Sequence, residues 1–362
     1  MNIDPDLNDL ATVTSKKSHD CDVIIIGGGL VGGTLACALS HLGIRTIVVD
    51  TQALSEGLDA EFDGRASAIA FASQCLLESV GLWDLMEENA CPIQDIRVSE
   101  GNSPFFLHYD HKDTESQAFG YMIENRSIRR ALYKQISSLD AIKVVAPDRV
   151  KVLEHSGPGV RVELESGDII TAPLVVGADG RNSITRRNAG IRTTGWAYDQ
   201  TGIVCTVEHE KSHQHIAHEH FLPAGPFAIL PLWDNRASIV WAERSELAPA
   251  IMNLDETEFL EELKPRFGNF LGDLKVVGPR WSYPLSLKFA ERAIDQRLAL
   301  VGDALHGMHP IAGQGLNMGL RDVAALAEII VDARRLGMDI GDTLVLERYQ
   351  QWRRFDNSLM LA

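Results

Sequence analysis

The sequence predicts an α/β protein: a Rossmann-like domain, an interleaved antiparallel-sheet domain and a closing helix. Three observations carry that class. Four β-branched residues, Val23 to Ile26, run into Gly27-Gly28-Gly29 and then into small helix-forming residues. That is the pattern of a buried strand, a tight turn and a helix. A second apolar run, Arg45 to Asp50, follows the helix and ends in an acid. Residues 193 to 290 turn to aromatic-rich alternation broken by Pro223, Pro226, Pro231 and Pro284, which reads as a separate antiparallel sheet.

Gly27, Gly29 and Gly32 fit G-x-G-x-x-G, with Leu30 and Val31 opening the helix. The first glycine allows the turn, the second lets backbone approach a pyrophosphate, and the third lets helix pack on strand. Such glycines alone are a weak signal, because a packed turn can need them without any ligand. The βαβ context strengthens it. Asp50 lies eighteen positions after Gly32, where a carboxylate meets a ribose 2′-hydroxyl. An acid there disfavours a 2′-phosphate, so the bound dinucleotide is FAD or NAD rather than NADP.

The composition bounds the rest. A chain of 362 residues, 45% apolar and 23% charged, can form two domains and bury a sizeable core. The net charge of −16 and the lack of a basic-aromatic run speak against a nucleic-acid partner. Cys21, Cys37, Cys75, Cys91 and Cys205 are scattered with no C-x-x-C pair and read as thiols in a reducing cytosol. No run of about 18 apolar residues is present to span a bilayer. Residues 1–19 are polar and mixed in charge, and read as a disordered leader rather than a signal or transit peptide.

Along the chain, Leu58 to Gly64 reads as a polar loop, and Arg65 is the one cation before a short helix around Gln74 to Val80. Its alternatives are a surface arginine and a contact to a cofactor or its phosphates. Strands are expected at Ile93 to Ser99, Phe105 to Tyr109, Val150 to Leu153 and Val160 to Leu164, with a helix from Ile128 to Ile136. Leu174 to Gly177 is again an apolar strand, ending in Asp179-Gly180 at the edge where α/β sheets bind ligands. Phe227 to Trp233 and Ala237 to Trp241 flank Asp234-Asn235-Arg236 as a hairpin.

His209, His213, His215, His218 and His220 crowd one segment, yet their spacing matches no common ligand motif. They are expected on a solvated strand edge or loop, and no metal site is assigned. After another apolar strand come Gly302-Asp303 and a loop with Pro310, Gly313 and Gly315, then a helix from Leu316 to Leu336 closed by Gly337. Gly313-Gln314-Gly315 would point backbone N–H groups at developing negative charge. His306 and His309 are at most pocket lining, as no nucleophile is in view. The last helix, from Thr343, carries Val345, Tyr349, Trp352, Phe355 and Leu359 on one face, and its abrupt stop suggests a longer helical region cut short.

Three motifs in this order carry a family resemblance that extends from about residue 20 to the end. The chain resembles the class A flavoprotein monooxygenases, and within them the ubiquinone-biosynthesis hydroxylases (UbiH/UbiF/UbiI type). The resemblance implies that Gly27, Gly29, Leu30, Val31, Gly32 and Asp50 hold the ADP half of FAD, with aspartate in place of the usual glutamate. It implies that Asp179, Gly180, Ser183 and Arg186 form the family's D-G motif, serving FAD and NADPH. Gly302-Asp303 matches its G-D motif, with the aspartate on the ribityl chain. His309 to Asp322 is the ubiquinone-type segment, placing Pro310, Gly313, Gln314, Gly315, Leu316 and Asn317 against the flavin. Arg65 and Arg126, in Asp63-Gly-Arg65 and Glu124-Asn-Arg126, would lie by the flavin and its phosphates. Leu305 departs from the usual alanine.

The implied reaction uses bound FAD, transient NADPH and dioxygen. A flavin hydroperoxide passes its distal oxygen to an electron-rich ring, so no acid–base dyad is assigned and the pocket candidates are His309, Pro310 and Pro231. The implied substrate is a hydrophobic polyprenylated phenol or quinol of ubiquinone biosynthesis. Expected partners are other proteins of that synthesis, a second copy of the chain and the inner face of a bacterial membrane, touched peripherally by a missing C-terminal region of a cytoplasmic protein. A hydroxylase of a small soluble phenol and a non-catalytic flavoprotein scaffold stay open beside it. The FAD-binding domain is expected to be discontinuous, at 20–90, 121–192 and 291–342. The substrate domain takes 91–120 and 193–290, and the last helix 343–362.

Overall fold

The structure is a computed structural model that describes residues 20–56, 58, 62–101, 103, 105–114, 117–307 and 313–361, the side chains of 357–361 excepted. The expected leader and the candidates His309 and Pro310 lie outside the described residues.

The strand Val23–Ile26 is buried at every position, because parallel neighbours flank it and helices cover the sheet. It lies between Leu174–Gly177 and Thr46–Val49, with Ile24 opposite both Val175 and Ile47. Ile142–Val145 extends one side and Leu298–Leu300 with Ile294–Asp295 the other, giving six strands. The helices Leu30–His41 and Gln314–Arg335 pack on each other, and Asn125–Ser138 packs on the first of them.

Two three-stranded sheets border this unit. Val150–Ser156, Gly159–Leu164 and Ile169–Ala172 form one, the third strand being missed by the sequence reading. Ala66–Ala70, Gly120–Glu124 and Cys91–Ile93 form the other, so the segment after Arg65 is a strand, and its helix, Phe71–Ser79, starts earlier than expected.

The large sheet has eight strands. Its centre is Thr193–His209, Arg236–Arg244 and Gly225–Leu232, followed outward by Ile216–Leu222, Asp95–Glu100 and the edge strand Phe106–Asp110. The expected hairpin closes with Leu232 opposite Arg236. One face buries Phe227, Ile229 and Trp241 against Phe259, Leu263 and Phe267 of the helix Glu256–Phe267. That helix, unseen in the sequence reading, starts on a capping box in which Asp255 and Glu258 bond each other's backbone N–H.

The last helix, Thr343–Leu361, does not bury the expected stripe. Val345, Leu346, Tyr349 and Arg353 face inward, while Trp352 and Phe355 are 48% and 71% exposed. A buried carboxylate, Asp322, draws Arg353 in by an ion pair at 2.6 Å and rotates the helix away from its aromatic residues. The Leu359 side chain lies outside the described residues.

The histidine segment also departs from expectation. His209 and His213 are buried, and rings run in edge contact from His209 through His213 and His215 to Trp233. His213 donates from Nε2 to the Leu232 carbonyl at 2.7 Å and accepts the His215 N–H at Nδ1 at 3.0 Å, which fixes a neutral ring. Apolar packing of the aromatic edges, rather than solvation, explains the cluster. Among the described residues the group placed to hold a cation is Asp95, Asp110 and His111, outside this cluster.

Burial lowers the pKa of His209, His213, His215 and His220, and brings His218 to about 4. A histidine whose folded pKa is depressed takes up its proton first in the unfolded chain, so its contribution is lost as pH falls below about 6.5. Unfolding free energy is therefore expected to be lower at pH 5 than at pH 7 in urea titrations. His218→Phe should shrink that difference by roughly 2 kcal/mol. An unchanged difference in the variant would show that His218 titrates as in an unfolded chain.

Candidate functional site

The glycine turn after Ile26 shows three different reasons for glycine. Gly27 has φ 103°, and a Cβ there would sit 2.4 Å from the Ala178 carbonyl oxygen. A Cβ on Gly32 would meet the Gly27 carbonyl oxygen at 2.0 Å, so strand and helix close only without a side chain. Around Gly29 there is open space within 4 Å of such an atom. Gly29 and Asp50 are shared by two cavities, of about 440 Å³ and 250 Å³. Gly27, Asp179 and Arg149 line the first, and Leu30, Gln52 and Arg129 the second.

Asp50 accepts from Gly28 N–H at 2.6 Å and from Gln52 N–H at 2.9 Å, one bond to each oxygen. Each oxygen keeps a lone pair that a ribose hydroxyl can use. The space beside Gly29, the helix N-terminus beyond it and this carboxylate fit the adenosine diphosphate half of a dinucleotide.

Other assigned residues stand where they hold the walls. Asp179 accepts from Ser183 Oγ at 2.5 Å and from Ile184 N, Thr185 N and Thr185 Oγ1 at 2.8 to 3.0 Å, as a cap of its own loop. Arg186 is buried and donates to the carbonyls of Ala304 and Arg181 at 2.7 and 3.0 Å, tying the Asp179 loop to the Gly302 turn. Arg126 is bonded to Glu124 at 2.6 Å and lines none of the cavities described; Arg129, one turn along the same helix, lines the second. Val31 packs on Gly302 and Gly319, with distances of 3.1 Å and 2.6 Å to a Cβ built on each. This contact joins the start of the first helix to the far end of the chain.

That far end builds the third and largest cavity, about 550 Å³. Gly302 has φ 59° and starts a short turn, Gly302–Ala304, that carries Asp303 into the cavity wall. Asp303 is open to the cavity, yet desolvation pushes its carboxyl above the usual range, with His306 and Arg181 opposing. Gly313 caps the helix Gln314–Arg335 in the left-handed region at φ 62°, with Ala68 2.9 Å from the place of a Cβ. Gly313, Gly315 and Leu316 line the cavity, so the first-turn N–H groups and the positive end of the helix dipole face it.

Gln314 is not among the lining residues, and Asn317 is turned away. The Asn317 amide accepts from Ala70 N at 2.9 Å and donates to the Ala68 and Gly313 carbonyls at 2.9 and 3.1 Å, pinning helix to strand. The opposite wall is the large sheet, through Val204, Ala228, Leu230, Val240 and Leu285, with Met122 at one side. Arg65 lines the cavity too, bonded to Asp63 at 2.7 Å with its guanidinium 4.9 Å from the Trp281 ring centre. Pro231 does not line it: Pro226, Ala228 and Leu230 do, and strand alternation puts Pro231 on the other face.

Sequence reasoning missed Arg129, Asp322 and Glu219, the last a cavity-lining carboxyl in the strand Ile216–Leu222. The Arg129 signal was present, three residues beyond Arg126 on the same helical face.

A family described as FAD binding domain matches residues 20–354. Ubiquinone hydroxylase UbiL of Rhodospirillum rubrum is 53% identical over 350 residues, covering 97% of this chain and 81% of that protein. The 3-demethoxyubiquinol 3-hydroxylase of Escherichia coli is 34% identical over 341 residues, covering 94% and 87%. The solved structure of PqsL, a probable FAD-dependent monooxygenase from Pseudomonas aeruginosa, aligns with a TM-score of 0.77 at 23% identity over 92% of this chain and 91% of that one. That last likeness is one of fold.

Proposed function

The chain belongs to the FAD-binding-domain family of class A flavoprotein monooxygenases, and from this we propose that it hydroxylates the aromatic ring of a polyprenylated phenol or quinol in ubiquinone biosynthesis. The observation that carries the reading is the mostly apolar cavity of about 550 Å³ closed by Asp303 and the glycine-rich helix start, in a chain 53% identical to a ubiquinone hydroxylase. Bound FAD supplies reduction by a nicotinamide and activation of dioxygen for transfer of one oxygen atom.

The chain's own residues bind, orient and exclude water. Gly29 and Asp50 take the adenosine diphosphate half beside the first helix. Asp303, in the cavity wall, would hold the ribityl chain, and the N–H groups at Gly315 and Leu316 would stabilise negative charge on a reduced ring. The sheet wall from Val204 to Leu285 keeps the reacting ring dry. No second G-x-G-x-x-G is present, consistent with a nicotinamide that binds and leaves. No helix among the described residues is long and apolar enough to cross a membrane. We infer that a prenylated substrate reaches the cavity from a bilayer surface or from a partner protein of the same synthesis.

The protein reconstituted with FAD is expected to consume NADPH and dioxygen and to give a product heavier by one oxygen atom from a prenylated phenol, read by mass spectrometry. Oxygen insertion into soluble phenols alone would assign a small-phenol hydroxylase. Flavin that NADPH never reduces, with any of these substrates, would leave a non-catalytic flavoprotein.

A further inference from the structure

The large sheet presents one transverse row of side chains to the cavity, and that row ends in a carboxyl. Glu219 lies opposite Ala228, Ala228 opposite Val240, Val240 opposite Val204, and Val204 opposite Trp281. All five line the cavity. On its other side Glu219 faces Val98 across a parallel pair. An acid thus closes a strip that is otherwise apolar up to the indole. No hydrogen bond or ion pair holds its carboxyl among the described residues.

Glu219 is half-buried, with its carboxyl open to the cavity, and a carboxyl held partly out of bulk water with no protein partner gains from a ligand that donates to it. We propose that Glu219 accepts the hydroxyl proton of the aromatic substrate, fixing the ring in the cavity and activating it as a phenolate. This rests on the hydroxylase reading above. In the step the O–H bond breaks, its proton forms a carboxylic acid on Glu219, and the electron pair stays on the phenolate oxygen, delocalised to the ortho and para carbons. The carbon that then receives one atom of dioxygen, through the bound FAD and NADPH of the hydroxylase reading, loses its hydrogen as a proton when the ring becomes aromatic again, and that proton leaves in the water formed from the second oxygen atom. Glu219 returns its proton to the product's phenolate oxygen, so the residue ends as it began.

The charges around it permit this. Arg97 pairs with His218 on the opposite face of the sheet and does not neutralise Glu219. From the elements packed over the cavity come Arg65, bound to Asp63, and Glu124, bound to Arg126 and Arg236. They also bring Cys91, whose thiol burial pushes up to about 12, as well as Asp303 and Tyr283, both raised by burial. Desolvation alone raises the Glu219 carboxyl to about 7, the range in which a general base both holds and releases a proton near neutrality.

The test is Glu219→Gln in the FAD-reconstituted full chain, with a prenylated phenol as probe. The variant keeps the shape and removes the proton acceptor, so flavin content and melting temperature should match the parent. Wild-type hydroxylation should rise with a limb near pH 7. The variant should lose the limb, fall ~100-fold at pH 7.5, and regain rate at about tenfold per pH unit toward the phenol's own ionisation near 10. NADPH oxidation should continue in the variant without product. A variant with the parent's rate and pH limb overturns the proposal for Glu219 and leaves the hydroxylase reading intact. A wild-type protein that makes no product overturns that reading instead. If Glu219→Gln loses flavin or stability, Glu219→Asp decides: recovery of the limb supports the proton acceptor, and flat activity refutes it.

Discussion

Replacing Asp322 by alanine is expected to destabilise the protein by ~3–5 kcal/mol and to lower its flavin content, because the change strips a buried hub. Asp322 is fully buried, accepts from Gly302 N–H at 2.8 Å and from Arg353 Nε at 2.6 Å, and has His306 Nε2 2.7 Å from its second oxygen. Without it, a guanidinium that is 2% exposed loses the buried carboxylate it pairs with and must rely on partners such as Asp356. The Gly302-Asp303 turn also loses the bond that sets its start. Urea denaturation and flavin absorbance measure the two effects separately, and a variant of parental stability would refute the hub.

The same pair has a pH signature. Burial works against protonating His306, and the adjacent Asp322 carboxylate more than offsets it, so the imidazole pKa lies above its ordinary value. A raised histidine contributes fully below about pH 6.5 and loses that contribution as pH rises through its folded pKa. The gap between wild type and Asp322→Ala should therefore narrow on the alkaline side of neutrality.

The second large effect separates two glycines three positions apart. Gly32→Ala places a methyl 2.0 Å from the Gly27 carbonyl oxygen, and both atoms belong to rigid backbone. Relief requires the helix to leave the strand, at roughly 3 kcal/mol or more. Gly29 has φ −65° and ψ −169°, which any L-residue adopts, and its surroundings are open. Gly29→Ala should melt within about a degree of wild type yet bind FAD at least tenfold more weakly, since the methyl takes space meant for the pyrophosphate. Parental flavin affinity in Gly29→Ala would place the dinucleotide elsewhere.

What was legible in the sequence was local and periodic. The run from Val23 to Gly32, the strand before Asp179 and the helix closed by Gly337 were readable because a parallel strand is apolar throughout and its turn needs glycine. The hairpin around Asp234-Asn235 was readable for the same kind of reason. The rest depended on partners distant in sequence. Arg353 reads as a surface cation until Asp322 is known to be buried opposite it. Five neighbouring histidines read as solvated until His215 is seen against Trp233 and His218 against Phe270. Asn317 and Arg186 belong to a binding motif by position, yet their bonds here are to backbone. Glu219 sits in His218-Glu-His220, polar text that hides which face of a strand meets the cavity.

The strand that carries Glu219 has a bearing on how the chain is made. It pairs antiparallel with Gly225–Leu232, which follows it at once, and parallel with Asp95–Glu100, synthesised more than a hundred residues earlier. The nucleotide sheet waits in the same way, since Val23–Ile26 has no partner on one side until Leu174–Gly177 emerges from the ribosome. Such separations raise the entropic cost of closure and slow folding. Half-made chains expose apolar strands with open edges, as Ile24 and Ile25 would be during translation, and these are targets for chaperones. The catalytic cavity is thus among the last parts of the nascent protein to exist, and yield in a heterologous host should depend on elongation rate and chaperone supply more than on the stability of the finished fold.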